Sequence, residues 1–194
     1  MVQNPWPQRD GAILFREAGL DDIGTLLSIR NDPETNHFMV RTHVDPEVFR
    51  NEWLAVPTSD TDFSCVAEVA GQVVAMGFLD IVDGAGQPGV PTKTEGVIGY
   101  IVAPEASRQG VGTALARALL SAAFDVLGLR RVTASCNADN HASVRVLEGV
   151  GMRREKHSTE SLWHHELGWL DEYQYAILES EWLGHSDGSG HTSR

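Results

Sequence analysis

Two glycines and the residues beside them are the first place in the 194-residue chain where chemistry can be read. Gly110-Val111-Gly112 follows the apolar run Val97, Ile98, Tyr100, Ile101, Val102 and opens a segment in which Val111, Leu115, Ala118, Leu119, Ala122 and Val126 recur at spacings of three and four. That spacing predicts an amphipathic helix, and the short run before it predicts a buried strand closed by Pro104. The first turn of a helix carries backbone N–H groups without internal partners, and its dipole adds partial positive charge. Glycines leave those amides bare, so an anion can touch them directly. Arg108 and Thr113 can add a charge-assisted and a neutral hydrogen bond, which favours a phosphate or pyrophosphate. A glycine turn that only lets the helix pack on the strand is the structural alternative.

A nucleoside-triphosphate loop would end in Gly-Lys-Ser/Thr, which is absent. A dinucleotide fingerprint would place a third glycine where Leu115 stands. A second polar cluster follows the alternating stretch Arg131–Cys136, which predicts a half-buried strand. Asn137 and Asn140 are turn and cap residues, and a helix over about 141–149 would stop at Gly149 or Gly151. Ser143 falls in the first turn of that helix, where its hydroxyl can serve either chemistry or backbone capping.

These two segments carry a resemblance. PEASRQGVGTALARALL is similar to the acetyl-CoA signature of the GNAT superfamily of N-acetyltransferases, Gln/Arg-x-x-Gly-x-Gly/Ala, with Ser107 at its first position. The segment Asn137–Ser143 followed by Gly151-Met152 resembles the second signature, Asn-x-x-Asn-x-x-Ser before a helix ending in Gly-Phe. LDDIGTLLSIRNDPETNHFM, with Leu170–Leu178 and Glu181-Trp182, resembles the RimJ/RimL type. The resemblance spans about residues 12–183 and implies one α/β domain of GNAT-like acyl-CoA N-acyltransferase fold. It would have a central mixed, mostly antiparallel sheet of about seven strands flanked by about four helices. Residues 1–11 are then an N-terminal extension, and 184–194 a polar tail expected to be disordered.

The resemblance also implies roles. The backbone of Ile101, Val102 and Ala103 and the loop Arg108, Gln109, Gly110, Val111, Gly112 and Thr113 would hold acetyl-CoA, the co-substrate, with Asn140 on its pantetheine arm. Ser143 would face the sulfur, because the tyrosine many relatives place later on this helix is here Leu147. The amine would attack the thioester directly, with a backbone N–H near Tyr100–Val102 as oxyanion donor. Attack needs a neutral amine and hence a base. Glu95, at the start of the strand, is the first candidate, with Glu68 and Asp80 as rivals on neighbouring strands.

The positioning elements follow from pattern. Ile13–Glu17 is a first strand. Asp21-Asp22 open a helix that Asn31-Asp32-Pro33 ends, and Asp45-Pro46 starts another with Phe49, Trp53 and Leu54 on its apolar face. These helices would wall the acceptor groove, with Phe38, Met39 and Trp53 lining a pocket or the core. Phe63–Val69 and Val73–Val82 read as a hairpin through Ala70-Gly71-Gln72. The Gly/Pro-rich stretch 83–96 reads as a mobile loop, over the acceptor or a mere hairpin tip. Arg153–Glu160 is a further strand, and His157, His164 and His165 are expected in solvent. The last strand, at 172–178, is expected as an exposed edge able to pair subunits into a homodimer.

Composition bounds the rest. The net charge of −12 argues against a nucleic-acid backbone binder and suits attraction of a cationic amine. Cys65 and Cys136 suggest small buried residues and no disulfide framework, and no ligand spacing suggests a metal. With no signal peptide and no membrane-length apolar run, a cytoplasmic protein is expected. Three functions fit: an acetyltransferase for a protein N-terminal α-amine, one for a small-molecule amine (aminoglycoside, polyamine or amino acid), or a CoA-binding module without turnover.

Overall fold

In the computed structural model, which describes residues 3–187, alternating strands and amphipathic helices assemble into one eight-stranded sheet with helices on both faces. The strands are β1 (Gln8–Asp10), β2 (Ile13–Arg16), β3 (Cys65–Val69), β4 (Gln72–Val82), β5 (Glu95–Val102), β6 (Arg131–Asn137), β7 (Arg153–His164) and β8 (Gly168–Leu178). The helices are α1 (Ile23–Arg30), α2 (Pro33–Asn36), α3 (Pro46–Ala55), α4 (Val111–Ser121), α5 (His141–Gly149) and α6 (Glu179–Asp187). The order is β1-β2-β3-β4-β5-β6-β8-β7, and every neighbouring pair is antiparallel except β5 and β6.

The mixed sheet expected from the sequence is present, with one more strand. That strand is β1, which pairs with β2 inside the stretch expected as an extension, and Trp6 before it is buried with its indole N–H on the Phe63 carbonyl at 2.8 Å. Trp6 and Gln8–Asp10 thus pack on the edge of the sheet, while residues 1 and 2 lie outside the described residues. Of the polar tail expected from 184, residues 184–187 complete α6, and 188–194 lie outside the described residues.

Strand alternation sends side chains to two cores. Leu79, Ile98, Val132 and Ile177 meet Leu115, Leu119 and Leu120 of α4 on one face. Met76, Ile101 and Val66 meet Ile23, Leu26, Phe49 and Trp53 of α1 and α3 on the other. Gly77 permits the closest approach: a Cβ there would lie 2.9 Å from Leu115. The α4 geometry ends at Ser121 and a π turn, Ala122–Val126, completes the predicted helical stretch.

Two expectations are corrected. Strand 172–178 is no edge: β8 lies between β6 and β7, so its backbone is already paired on both sides and offers no strand for a second subunit. His164 is not in solvent but 2% exposed, with its Nδ1 accepting from the N–H groups of Glu166 and Leu167 at 3.2 Å to close the β7–β8 turn. His157 stays on the surface beside Asp171 at 2.6 Å. Cys65 is buried and Cys136 half-buried, both free thiols. No described helix is long and apolar enough to cross a membrane, and no described group of residues has the makings of a metal site.

Candidate active site

The parallel pair β5–β6 is short. Its register runs only from Glu95↔Arg131 to Val97↔Thr133, after which the two strands part. Ala103 donates its N–H to the Val74 carbonyl at 2.9 Å. By the alternation of an antiparallel ladder, Ile101 and Gly99 also turn their N–H groups to β4, and beyond the last β5–β6 pair Tyr100 and Val102 turn theirs into the gap. The gap is therefore lined by backbone groups that a linear amide-bearing ligand can pair with. Of the three strand residues expected to hold a cofactor, only Val102 presents its backbone there. Ile101 faces α1 and α3, and Ala103 is buried with its carbonyl accepting from the Ala106 N–H at 3.0 Å.

At the mouth of the gap stands the start of α4. Gly110 is its N-cap, in the left-handed region at φ +82, and no side chain caps the helix. Glycine is the residue that adopts this conformation without a Cβ penalty. Arg108 also has positive φ, at 61, so the loop doubles back and leaves the N–H groups of the first turn orphaned toward the opening. Gln109 spends its side-chain amide on the Glu105 carbonyl at 2.7 Å. Gly112 faces the seam between β5 and α5: a Cβ there would lie 3.6 Å from Val102 and 3.7 Å from Val146. Thr113 is half-buried in the same turn. The loop predicted to cradle an anion thus exists as a bare helix terminus.

The second cluster faces the same gap. Asn140 caps α5, its Oδ1 accepting the Ser143 N–H at 3.1 Å. The Tyr100 hydroxyl reaches across from β5 to lie 3.0 Å from Ser143 Oγ. Burial pushes the neighbouring Cys136 thiol up to about 11, outweighing the lowering influence of the Ser143 hydroxyl. Burial pushes the Tyr100 phenol well above its usual range. Both groups therefore stay protonated at neutral pH. Sequence reasoning missed the Tyr100 hydroxyl and gave the Asn137 side chain no role beyond the turn. Asn137 is 5% exposed, and its side-chain NH2 has no partner among the described residues. The one available signal was a hydroxyl on an otherwise apolar strand; nothing in the sequence showed which residue it would meet.

On the opposite face of β5, Ile101 and Phe78 form the floor of a cavity of about 350 Å3. Phe49, Trp53 and Met39 wall it, and Arg30, Arg41, Glu52, Asp62 and Ser64 supply its polar rim. Trp53 sits at the centre of an aromatic run, 6.1 Å from Phe49 and 5.8 Å from Phe78 between ring centres. Asp45 caps α3 by accepting from the N–H groups of Glu47 and Val48 at 3.0 Å. Arg30 is 5% exposed, donates to Asn36 Oδ1 at 2.7 Å and the Arg41 carbonyl at 2.6 Å, and has its pKa lowered by burial. Asn31 holds Val44 through both backbone groups, so the Arg-Asn-Asp-Pro turn locks the loop that shapes this wall.

The three candidate carboxylates separate here. Glu95 stands at the closed end of the β5–β6 pair, in ion pairs with Arg130 and Arg131, seven residues from Val102 along the strand. Glu68 is bound by Arg16 at 2.8 Å. Asp80, exposed at the surface, lies on the Phe78 face of β4 opposite Val97, and partial desolvation together with the neighbouring Asp62 raises its pKa. The 83–94 loop is pinned by Lys93, whose N–H reaches Asp83 at 2.7 Å and whose ammonium reaches Asp60 at 2.6 Å.

A family model described as an acetyltransferase (GNAT) domain matches residues 12–153. YnaD of Bacillus subtilis, named as an uncharacterized N-acetyltransferase, is 38% identical over 85 residues, 44% of this chain and 49% of YnaD. YdaF of the same organism, named as a proposed ribosomal N-acetyltransferase, is 34% identical over 91 residues, 45% of this chain and 47% of YdaF. The chain thus spans about half the length of the curated relatives it matches. Among solved structures, spermidine N-acetyltransferase from Vibrio cholerae in complex with CoA and spermine superposes with a TM-score of 0.78 at 17% identity, over 90% of this chain and 99% of that one. A GNAT-family acetyltransferase from Bacillus anthracis gives 0.73 at 24%, over 90% and 98%. At these identities the likeness is one of fold.

Proposed function

The chain belongs to the GNAT acetyltransferase family, and on that premise we propose that it transfers the acetyl group of acetyl-CoA directly to a primary amine, in the manner of the RimJ/RimL type, the acceptor being a protein N-terminal α-amine. The observation that carries the reading is the two-sided gap: β5 parts from β6 with a bare helix terminus and Ser143 on one face and an aromatic cavity on the other.

Acetyl-CoA fits the first face. Its pyrophosphate takes the N–H groups at Gly110–Thr113 with Arg108 at hand, and its pantetheine amides pair with Val102 and Tyr100 backbone groups, Asn140 and the unpartnered Asn137 NH2. The Tyr100 N–H, turned into the gap, is the oxyanion donor. The amine comes from the cavity side around the free edge of β5. Asp80 is the base this geometry favours, because its raised pKa and position on the cavity face suit proton removal, whereas Glu95 and Glu68 are neutralised by arginines. When the C–S bond of the adduct breaks, its electron pair stays on sulfur and Ser143 O–H hydrogen-bonds it. The proton that ends on sulfur is the one the amine nitrogen gives up.

The cavity rim balances Arg30 and Arg41 with Glu52 and Asp62, Arg41 lying 4.0 Å from Glu52, so it offers a polycation no excess of acidic groups. An N-terminal α-amine, with a pKa near 8, yields its proton to a base more readily than an alkylamine does. Thiol release from acetyl-CoA, measured with peptides bearing free or blocked N-termini, spermidine, an aminoglycoside and free amino acids, tests the assignment. Release only with free-N-terminus peptides is expected. Release with spermidine instead overturns the acceptor, and CoA binding without release on any amine leaves a binding module.

A further inference from the structure

We infer that Tyr100 is a positioning residue for Ser143: its phenol donates a hydrogen bond to Ser143 Oγ and so commits the serine's own proton to the CoA sulfur. The inference rests on the proposed acetyl transfer and adds a residue to it. Three elements deliver hydroxyl, hydroxyl and thiol to one spot, with Tyr100 from β5, Ser143 from α5 and Cys136 from β6, just where the strands have parted.

Either oxygen of this contact can donate. Each hydroxyl has one proton and two lone pairs. The Tyr100 oxygen lies 3.0 Å from Ser143 Oγ and 3.4 Å from the Ser143 carbonyl, and the second separation is beyond the ordinary O–H···O range. Of the two acceptors Oγ is the nearer, so it is the one assigned to the phenol proton, which leaves the serine proton to point elsewhere. Asn140 anchors the Ser143 backbone through its N–H at 3.1 Å, so the serine cannot swing off the helix start. A phenol donating to Oγ also polarises the serine O–H, because chained hydrogen bonds reinforce one another. Tyr100 and Ser143 both keep their protons through the reaction. Their part is to stabilise negative charge on sulfur as the C–S bond breaks.

A tyrosine that merely satisfies its own buried hydroxyl would look the same in the resting protein, so the test reads the sulfur. The thiol of CoA bound to the wild type is titrated by its thiolate absorbance, in parallel with Tyr100→Phe, Ser143→Ala and the double variant. Turnover with acetyl-CoA, CoA affinity and melting temperature are measured on the same four proteins. The wild type is expected to favour the thiolate of bound CoA over that of free CoA. Tyr100→Phe should weaken that preference and lower kcat about tenfold, about 1.4 kcal/mol of transition-state stabilisation. CoA affinity and KM for acetyl-CoA should stay within twofold. In the Ser143→Ala background, Tyr100→Phe should change neither quantity further.

Equal losses from Tyr100→Phe in both backgrounds overturn the inference, as does an unchanged thiol titration. If Ser143→Ala lowers kcat while Tyr100→Phe does not, acetyl transfer assisted by Ser143 stands and the tyrosine role falls. If no amine is acetylated yet Tyr100→Phe still shifts the bound thiol, the transferase reading falls and the hydrogen-bond chain stands.

Discussion

Replacing Gly112 by alanine separates the needs of the fold from those of a ligand. Gly112 is the second residue of α4, in regular helical geometry, and an added Cβ would meet Val102 and Val146 at 3.6 and 3.7 Å, ordinary van der Waals contact. No atom of the protein has to move. Alanine also favours a helix over glycine by about 0.8–1 kcal/mol in helix interiors, and by less in a first turn. Gly112→Ala should therefore leave stability unchanged or raise it by up to about 1 kcal/mol, a melting rise of at most about 2–4 °C for a chain of this size. The same methyl projects into the seam between β5 and α5 that leads to Tyr100 and Ser143, where the proposed CoA arm runs. Loss of close approach there should weaken CoA binding at least tenfold, about 1.4 kcal/mol. Calorimetric titration with CoA and acetyl-CoA, beside a thermal melt, measures both quantities. Unchanged CoA affinity in a protein that melts normally would refute the cradle and the path of the arm together. Weaker affinity with a lowered melting temperature would instead mean that the fold, not the ligand, requires glycine.

The base can be identified by pH profile. The raised pKa of Asp80 means that its basic form is lost as pH falls through that value, so turnover should decline on the acid side. Asp80→Asn should remove that limb and lower kcat by about 10²–10⁴-fold, whereas Glu95→Gln should keep both the limb and the rate. The reverse pattern returns the role to Glu95. The Arg16–Asp22 pair predicts a stability effect far from the site. Asp22 accepts from Arg16 at 2.7 and 3.0 Å and from the Gly19 N–H at 2.7 Å, and its pKa is held below the ordinary carboxylate value chiefly by the Arg16 hydrogen bonds. A depressed folded-state pKa gives stability that is present above the unfolded value and lost as pH falls through the folded one. Asp22→Asn should cost about 1–3 kcal/mol near neutral pH and nothing at pH well below both values. A denaturant series across that range checks it, and a constant difference at every pH would count against the ion pair.

Local patterns carried much of this protein. The i, i+3, i+4 stripe from Val111 dictated α4, Gly110 dictated its left-handed entry, Asp45-Pro46 dictated the capped start of α3, and alternation dictated β6. Each depends on interactions within a few residues, so each is written in the chain. What only tertiary structure decided is which strands are neighbours and where they separate. The expected edge at 172–178 became an interior strand because β7 folds back beside it, a pairing that no periodicity within either strand encodes. The β5–β6 register brings Arg130 and Arg131 against Glu95, and the parting of those strands aims the Tyr100 hydroxyl at Ser143, 43 residues away. Residue types set which groups can move a proton or hold an anion. Long-range pairing set which of them share a gap, because that depends on contacts between segments that local conformation leaves free.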